Sequence, residues 1–144
     1  MFKNEKFCYI DLTKTNYDLY SNAKLLSKEE INVTYLQLVY KKYCKYENIK
    51  SVMPLFSCEF YDNDIIGYFD NNKLEAFSMV GIYDKENAEC YQFAWTYHLP
   101  DLQYGTLSVK HECAFYKNKG IKKYYLGQVA EYKKQFDGFT ICGE

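Results

Sequence analysis

The sequence predicts an α+β protein with a mixed, mostly antiparallel sheet. Three observations support this class. A short N-terminal strand is followed by two segments whose apolar residues recur at helical spacing. Three runs rich in aromatic and β-branched residues come next, separated by short turns, as expected for antiparallel neighbours. A further helical segment then leads to another strand, and a helical crossover of this kind joins parallel strands.

The first third of the chain is predicted to form one strand and two helices. Residues 7–12, FCYIDL, form the predicted first strand. Residues 13–27 carry apolar side chains on one helical face, which predicts a first helix. Residues 31–46 place apolar and tyrosine side chains at helical spacing and predict a second helix. Residues 53–61, which begin with Met-Pro, are predicted to be extended.

The central part is predicted to be a meander of three strands at residues 65–69, 74–83 and 88–97. Clusters of Asp and Asn separate these runs and favour tight turns. Short turns make sequential strands antiparallel neighbours.

The C-terminal part returns to helical spacing. Residues 106–120 predict a helix that ends at Gly120, which suits a helix C-terminus. Residues 122–127 follow as a strand, residues 130–136 as a short helix or turn, and residues 138–143 as a last strand.

Length and charge restrict the class of protein. A chain of 144 residues without an internal repeat or linker is predicted to form one domain over residues 1–144. All 18 cationic residues are lysines, a bias typical of an AT-rich genome. The net charge of −1 gives no overall field that attracts DNA or an anionic membrane, so neither is an expected partner. Without arginine, an anion must be bound by lysines, backbone N–H groups or a helix N-terminus.

The six cysteines form no CxxC pair, so neither a zinc site nor a thioredoxin-type motif is expected. His111 and Glu112 are not followed by the second histidine that a zinc protease requires, so no metal site is predicted. The N-terminal sequence MFKNEKFCYIDL has no long apolar run. Reduced thiols in a cytoplasmic protein are therefore expected.

The order of elements resembles the GNAT fold of N-acyltransferases over nearly the whole chain, which implies helices on both faces of the sheet. Residues 104–127, YGTLSVKHECAFYKNKGIKKYYLG, and residues 131–136, EYKKQF, resemble the catalytic domain of arginyl/leucyl aminoacyl-tRNA–protein transferases. The resemblance implies transfer of an acyl or aminoacyl group from acyl-CoA or aminoacyl-tRNA. The implied acceptor is an amine on a small molecule or a protein, and the oligomeric state stays open.

The resemblance also implies where the donor binds. Its acyl arm would lie between strands at residues 90–97 and 124–127, which splay apart in this fold. Its phosphates would meet N–H groups at the N-terminus of the following helix. The implied contacts are Gln103, Tyr104, Gly105, Thr106, Leu107 and Lys110.

Two residues are implied in catalysis. Tyr132 matches the position where GNAT enzymes often place a tyrosine that protonates the departing thiolate. His98 follows the strand near the expected acceptor and is a candidate to relay its proton. Backbone N–H groups aimed at the developing oxyanion would complete the site.

A non-catalytic GNAT-fold binding module is the alternative. The segment QYGTLS offers one glycine, Gly105, where CoA-using members carry a longer glycine-bearing pattern. Fold alone does not decide between these functions.

Overall fold

The structure, a computed structural model, describes residues 6–49 and 55–143. Seven described strands form one sheet in the order β2-β3-β4-β5-β6-β1-β7. The strands are β1 (Phe7–Asp11), β2 (Ala23–Leu25), β3 (Asp64–Asp70), β4 (Lys73–Ile82), β5 (Asn87–Trp95), β6 (Lys123–Gln128) and β7 (Phe139–Ile141). The helices are α1 (Val33–Tyr46), α2 (Ser57–Asp62) and α3 (Tyr104–Lys117).

The helices cover both faces of the sheet, as the resemblance implied. On one face, α1 and α2 pack Leu36, Val39 and Phe60 against β3 to β5. On the other face, α3 packs Val109 and Cys113 against the same strands and β6. Alternate residues of the central strands serve the two cores, which is why β3 and β4 are buried almost throughout.

The one parallel pair among the described strands joins β5 to β6, and the other pairs are antiparallel. This confirms the pairing predicted from the helical connection. The register pairs Asn87 with Lys123 and Glu89 with Tyr125. The crossover helix α3 begins at Tyr104, slightly before its predicted start.

The prediction of a helix over residues 13–27 is wrong. This segment forms a 3₁₀ turn at Leu12–Lys14, then irregular chain, then β2 against the edge of β3. Tertiary contacts decide this conformation: the Tyr20 N–H donates to His111 Nδ1 at 2.9 Å. Polar residues such as Asn16 and Asp18 also weaken helical propensity, because their side chains compete for backbone groups.

The prediction of an extended segment over residues 53–61 is wrong for most of its described part. Residues 57–61 lie in α2, and residues 53 and 54 lie outside the described residues. Glu59 accepts a hydrogen bond of 2.8 Å from the Phe56 N–H and so stabilises the first turn. Phe60 is buried against Phe77, which anchors this short helix to the sheet.

Candidate functional site

Strands β5 and β6 separate soon after they begin to pair. Parallel pairing extends only to Glu89 and Tyr125. Beyond this point β5 carries an extra residue, Tyr91, relative to β4, and β6 carries an extra residue, Leu126, relative to β1. A β-bulge bends its strand and increases its twist. Two bulges at the same level therefore open the sheet between β5 and β6.

The opening contains two adjoining cavities. The inner one, which we call the gap, has a volume of about 180 Å³. The outer one, which we call the mouth, has a volume of about 500 Å³. The gap is lined by Tyr43, Cys90, Tyr91, Gln92, Phe93, Gly105, Ser108, Val109, Glu112, Leu126, Tyr132 and Lys133. The mouth is lined by Tyr43, Tyr46, Glu47, Phe93, Trp95, Tyr97, Pro100, Gln103, Gly105, Thr106 and Tyr132. Their shared residues make them one continuous cleft.

The N-terminus of α3 opens onto this cleft. Gln103 is the N-cap residue in a left-handed conformation with φ 49°, and its carbonyl accepts from the Thr106 and Leu107 N–H groups at 3.0 Å each. The Tyr104 and Gly105 N–H groups, at the start of the first turn, have no acceptor among the described residues. A Cβ on Gly105 would meet only Phe93 Cε2, at 3.9 Å. Gly105 thus leaves open space beside available donors.

The residues implied in donor binding divide into two groups. Gln103, Gly105 and Thr106 line the mouth. The other three side chains face elsewhere. The Tyr104 ring is fully buried in the core. Leu107 packs against that same core, and Lys110 Nζ lies 5.7 Å from the centre of the Tyr17 ring.

Tyr132 lies at the junction of the two cavities. It belongs to a 3₁₀ turn at Glu131–Gln135, lines both cavities and is about half-exposed. Partial burial raises the pKa of its hydroxyl, so the group holds its proton at neutral pH. Lys133 fastens this turn to the separated end of β6, because its Nζ donates to the carbonyls of Leu126 at 2.8 Å and Gln128 at 2.6 Å.

His98 is not among the residues that line either cavity. It follows β5, and its exposed ring places Nδ1 3.4 Å from Glu75 Oε2. Glu75 is buried and also accepts from the Thr96 hydroxyl at 2.7 Å. The structure therefore brings Tyr132 and Gly105 together in one cleft and leaves His98 outside its lining.

Glu112 was not predicted as a site residue, yet it lines the gap. It is almost fully buried and accepts hydrogen bonds from the hydroxyls of Tyr68 and Tyr124. Burial raises the pKa of the Glu112 carboxyl, while these donors act in the opposite direction. A sequence signal exists: Glu112 is three residues after Val109 and four before Tyr116, so it falls on the inner face of α3.

An aromatic cluster at the mouth was also missed. The Tyr97 ring lies between Tyr46, with ring centres 3.7 Å apart, and Trp95, with ring centres 4.2 Å apart. The Tyr97 hydroxyl donates to Glu47. Trp95 packs in the core and also reaches the mouth. The cluster joins the end of α1 to the end of β5, which are distant in sequence.

Within residues 6–49 and 55–143, no three or more His, Cys, Asp and Glu side chains form a group that could hold a metal ion. In the same residues, no helix has the length and apolar character needed to cross a membrane.

No protein-family model matches the chain, and no curated protein matches it significantly. Several solved structures do match the chain. The C-terminal domain of a candidate lysylphosphatidylglycerol synthetase from Agrobacterium fabrum matches 87% of this chain and 47% of its own, with TM-score 0.69 and 13% identity. A candidate GNAT-family acetyltransferase from Novosphingobium aromaticivorans matches 94% and 59%, with TM-score 0.62 and 13% identity.

A third match is a GNAT-family acetyltransferase from Elizabethkingia anophelis with acetyl-CoA bound. It covers 74% of this chain and 65% of its own, with TM-score 0.52 and 15% identity. The chain therefore spans about half to two thirds of the length of these structures. At such low identity the matches show the fold alone, and they confirm the GNAT fold that the sequence predicted.

Proposed function

We propose that this chain is an acyltransferase that moves an acyl or aminoacyl group from a thioester or aminoacyl ester to an amine. One observation carries the proposal. The separation of β5 and β6 creates a cleft in which the start of α3 and the Tyr132 side chain meet. The gap suits a narrow acyl arm, and the mouth has the volume of a small-molecule site.

The chemistry needs few groups. The acceptor nitrogen, as a free amine, attacks the acyl carbonyl carbon and forms the new C–N bond. The bond from that carbon to the donor sulfur or oxygen then breaks, and the leaving atom takes a proton from the Tyr132 hydroxyl. The nitrogen releases one proton to solvent, and Tyr132 regains its own from solvent. A thiolate desolvated in the same cleft is a stronger base, which favours proton transfer from a tyrosine.

Two donors fit this proposal. Acyl-CoA would place its pyrophosphate at the free N–H groups of Tyr104 and Gly105. One structural neighbour holds acetyl-CoA, which supports this choice. Aminoacyl-tRNA is the other donor, and the resemblance of residues 104–127 to aminoacyl-tRNA–protein transferases supports it. The single domain, the cytoplasmic location and a proton relay through His98 stay predictions.

Calorimetric titration with acetyl-CoA tests the donor site. We expect the wild-type protein to bind acetyl-CoA. The Gly105→Val protein should bind at least roughly tenfold more weakly, because the new side chain fills space beside the N–H donors. Gly105 has open space in the fold, so the variant should unfold at a similar or higher temperature.

Lys110→Val is the companion variant on the same helix. Its ammonium lies over Tyr17, so we expect acetyl-CoA affinity within about twofold of wild type. Equal affinity in wild type and a folded Gly105→Val protein would remove this phosphate site. Absence of binding in the wild-type protein would exclude CoA and leave aminoacyl-tRNA or the alternative function.

The alternative is a binding module without catalysis. Two features favour it. The Lys110 ammonium lies over the Tyr17 ring, and QYGTLS has a single glycine, so both weaken the expected binding of phosphates. Mass spectrometry of amine mixtures incubated with acetyl-CoA separates the two functions. Mass spectrometry detects the amine products directly. An assay based on a thiol reagent would instead react with the exposed thiols of Cys58 and Cys142.

A further inference from the structure

We propose that the mouth binds an organic ammonium ion with an aromatic body, such as an arylalkylamine. Identification of this ion as the acceptor rests on the proposed function, whereas its binding does not.

Aromatic side chains supply most of the wall of the mouth. Those that line it are Tyr43, Tyr46, Phe93, Trp95, Tyr97 and Tyr132. Ring contacts join all of them except Tyr132, from Trp95, which is 7% exposed, to Tyr46, which is 65% exposed. The outermost ring, Tyr46, stacks on Tyr97 with an interplanar angle of 9° and turns much of its surface to solvent. Exposed apolar surface of this extent at a cavity is typical of a binding site.

The backbone at Tyr97 supports a role for its ring. Tyr97 has φ 61°, a left-handed conformation that glycine and asparagine adopt far more readily than tyrosine. Strained residues of this kind concentrate at ligand sites. Here the strain directs the ring between Tyr46 and Trp95, where its hydroxyl donates to Glu47.

The charge at the mouth favours a cation. Among the described residues, Glu47 is the one carboxylate that lines it, and no lysine does so, although the chain carries 18. Aromatic faces also attract ammonium groups, most strongly where water is partly excluded. Burial and the Glu47 charge raise the pKa of Tyr43 to about 12, so that phenol stays neutral and does not compete as an anion.

The mouth leads directly to the gap, because Tyr43, Phe93, Gly105 and Tyr132 line both cavities. An ammonium ion held among the rings would therefore lie beside the path of the acyl arm. After loss of one proton to solvent, its nitrogen could enter the gap and attack the acyl carbon.

Tryptophan fluorescence gives a direct measurement, because Trp95 is the one tryptophan in the chain and it lines the mouth. The probe is 2-phenylethylamine, added without any donor and excited where tyrosine does not absorb. Its neutral analogue 2-phenylethanol tests the charge, and 2-cyclohexylethylamine tests the ring. We expect a saturable change with 2-phenylethylamine and roughly tenfold weaker binding of each analogue.

Variants locate the effect. Glu47→Gln should bring 2-phenylethylamine and 2-phenylethanol within about twofold of each other, and Tyr46→Leu should weaken the amine by several-fold. Tyr46 and Glu47 are exposed, so both variants should fold. Matched controls are Tyr83→Leu and Glu89→Gln, which alter a second pair in which the hydroxyl of an exposed tyrosine donates to a glutamate, here a partly buried one. That pair lines neither cavity, so the controls should bind like wild type.

Equal affinity for the amine and the alcohol, or equal losses in the control variants, would overturn the inference. Saturable quenching by adenosine monophosphate but not by 2-phenylethylamine would also overturn it and would indicate a base-stacking surface. Binding of the amine without its acylation would refute the proposed function and leave the ammonium site standing. If the protein acylates other amines and 2-phenylethylamine does not inhibit that reaction, the ammonium site would be refuted and the proposed function would stand.

Discussion

The mouth and the inner end of the cleft use the same pair of side chains in opposite surroundings. At the mouth, the Tyr97 hydroxyl donates to Glu47, and that glutamate is exposed. At the inner end, the hydroxyls of Tyr68 and Tyr124 donate to Glu112, and all three residues are almost fully buried. We call this buried trio the floor.

The difference shows how burial changes what a tyrosine–carboxylate pair does. Water competes for both partners at the mouth, so the pair adds little to stability, and its charge and rings remain available to a ligand. The floor excludes water, so its hydrogen bonds are costly to lose. We therefore expect changes at the floor to affect stability and changes along the open cleft to affect binding and rate.

The largest expected effect is on the rate of acyl transfer. Tyr132→Phe removes a half-exposed hydroxyl from the cleft and should lower kcat by roughly 10²–10⁴-fold, the usual loss for a general acid. The affinity for the donor should change little, since ring packing is kept. Rates are measured with a donor and amine pair that shows turnover.

Tyr124→Phe is the matched variant at the floor. It should reduce the free energy of unfolding by about 1 kcal/mol through loss of the hydrogen bond to Glu112 and leave kcat within a few-fold. A Tyr132→Phe protein as active as wild type would exclude Tyr132 as the acid and leave that role to water.

The next effect is on stability. Glu112→Ala leaves the hydroxyls of Tyr68 and Tyr124 without their acceptor in a dry core, at a cost of about 1–3 kcal/mol for each. Urea unfolding should therefore show a loss of about 2–6 kcal/mol. Glu47→Ala at the mouth should change the free energy of unfolding by less than about 0.5 kcal/mol. Similar losses in the two variants would contradict the contrast between mouth and floor.

The smallest effect is on the pH dependence of stability. The folded pKa of Glu112 lies above its ordinary value of 4.5 because of burial. The stabilisation from its neutral form is complete below pH 4.5 and is lost as the pH rises through the folded pKa. The free energy of unfolding of the wild type minus that of Glu112→Gln should therefore fall as the pH rises from 4.5 through the folded pKa of Glu112.

The slope of that difference is at most about 1.4 kcal/mol per pH unit for one group. Because both proteins keep His111, whose pKa is lowered by burial, its own contribution cancels in the comparison. A difference that rises with pH would show that the floor holds Glu112 as a stabilised carboxylate.

Much of the fold was predictable because local patterns there agree with tertiary structure. The runs that became β3, β4 and β5 are separated by turn-forming Asp and Asn residues, and α3 ends near Gly120. The parallel pairing of β5 with β6 followed from the connecting helix. Tyr132 and Gly105 were chosen through a family resemblance, and both line the cleft, although their roles stay predictions.

The remaining features depend on contacts between distant segments. Residues 13–27 carry a helical pattern of apolar residues, yet residues 23–25 form β2 because the edge of β3 offers backbone partners. Glu112 could have been placed on the inner face of α3 from spacing, but the two tyrosines that hold it come from β3 and β6. The mouth draws its rings from α1, β5 and the turn after β6.

Local sequence patterns were enough to give the class of the sheet and the order of elements from β3 onward, because hydrophobic period and turn residues act over a few positions. Tertiary structure sets where the cleft opens, because each bulge is defined only by the register of a neighbouring strand. It also decided which glutamate is buried and which is exposed. The two are chemically identical along the chain, and only packing determines how much water reaches each carboxylate.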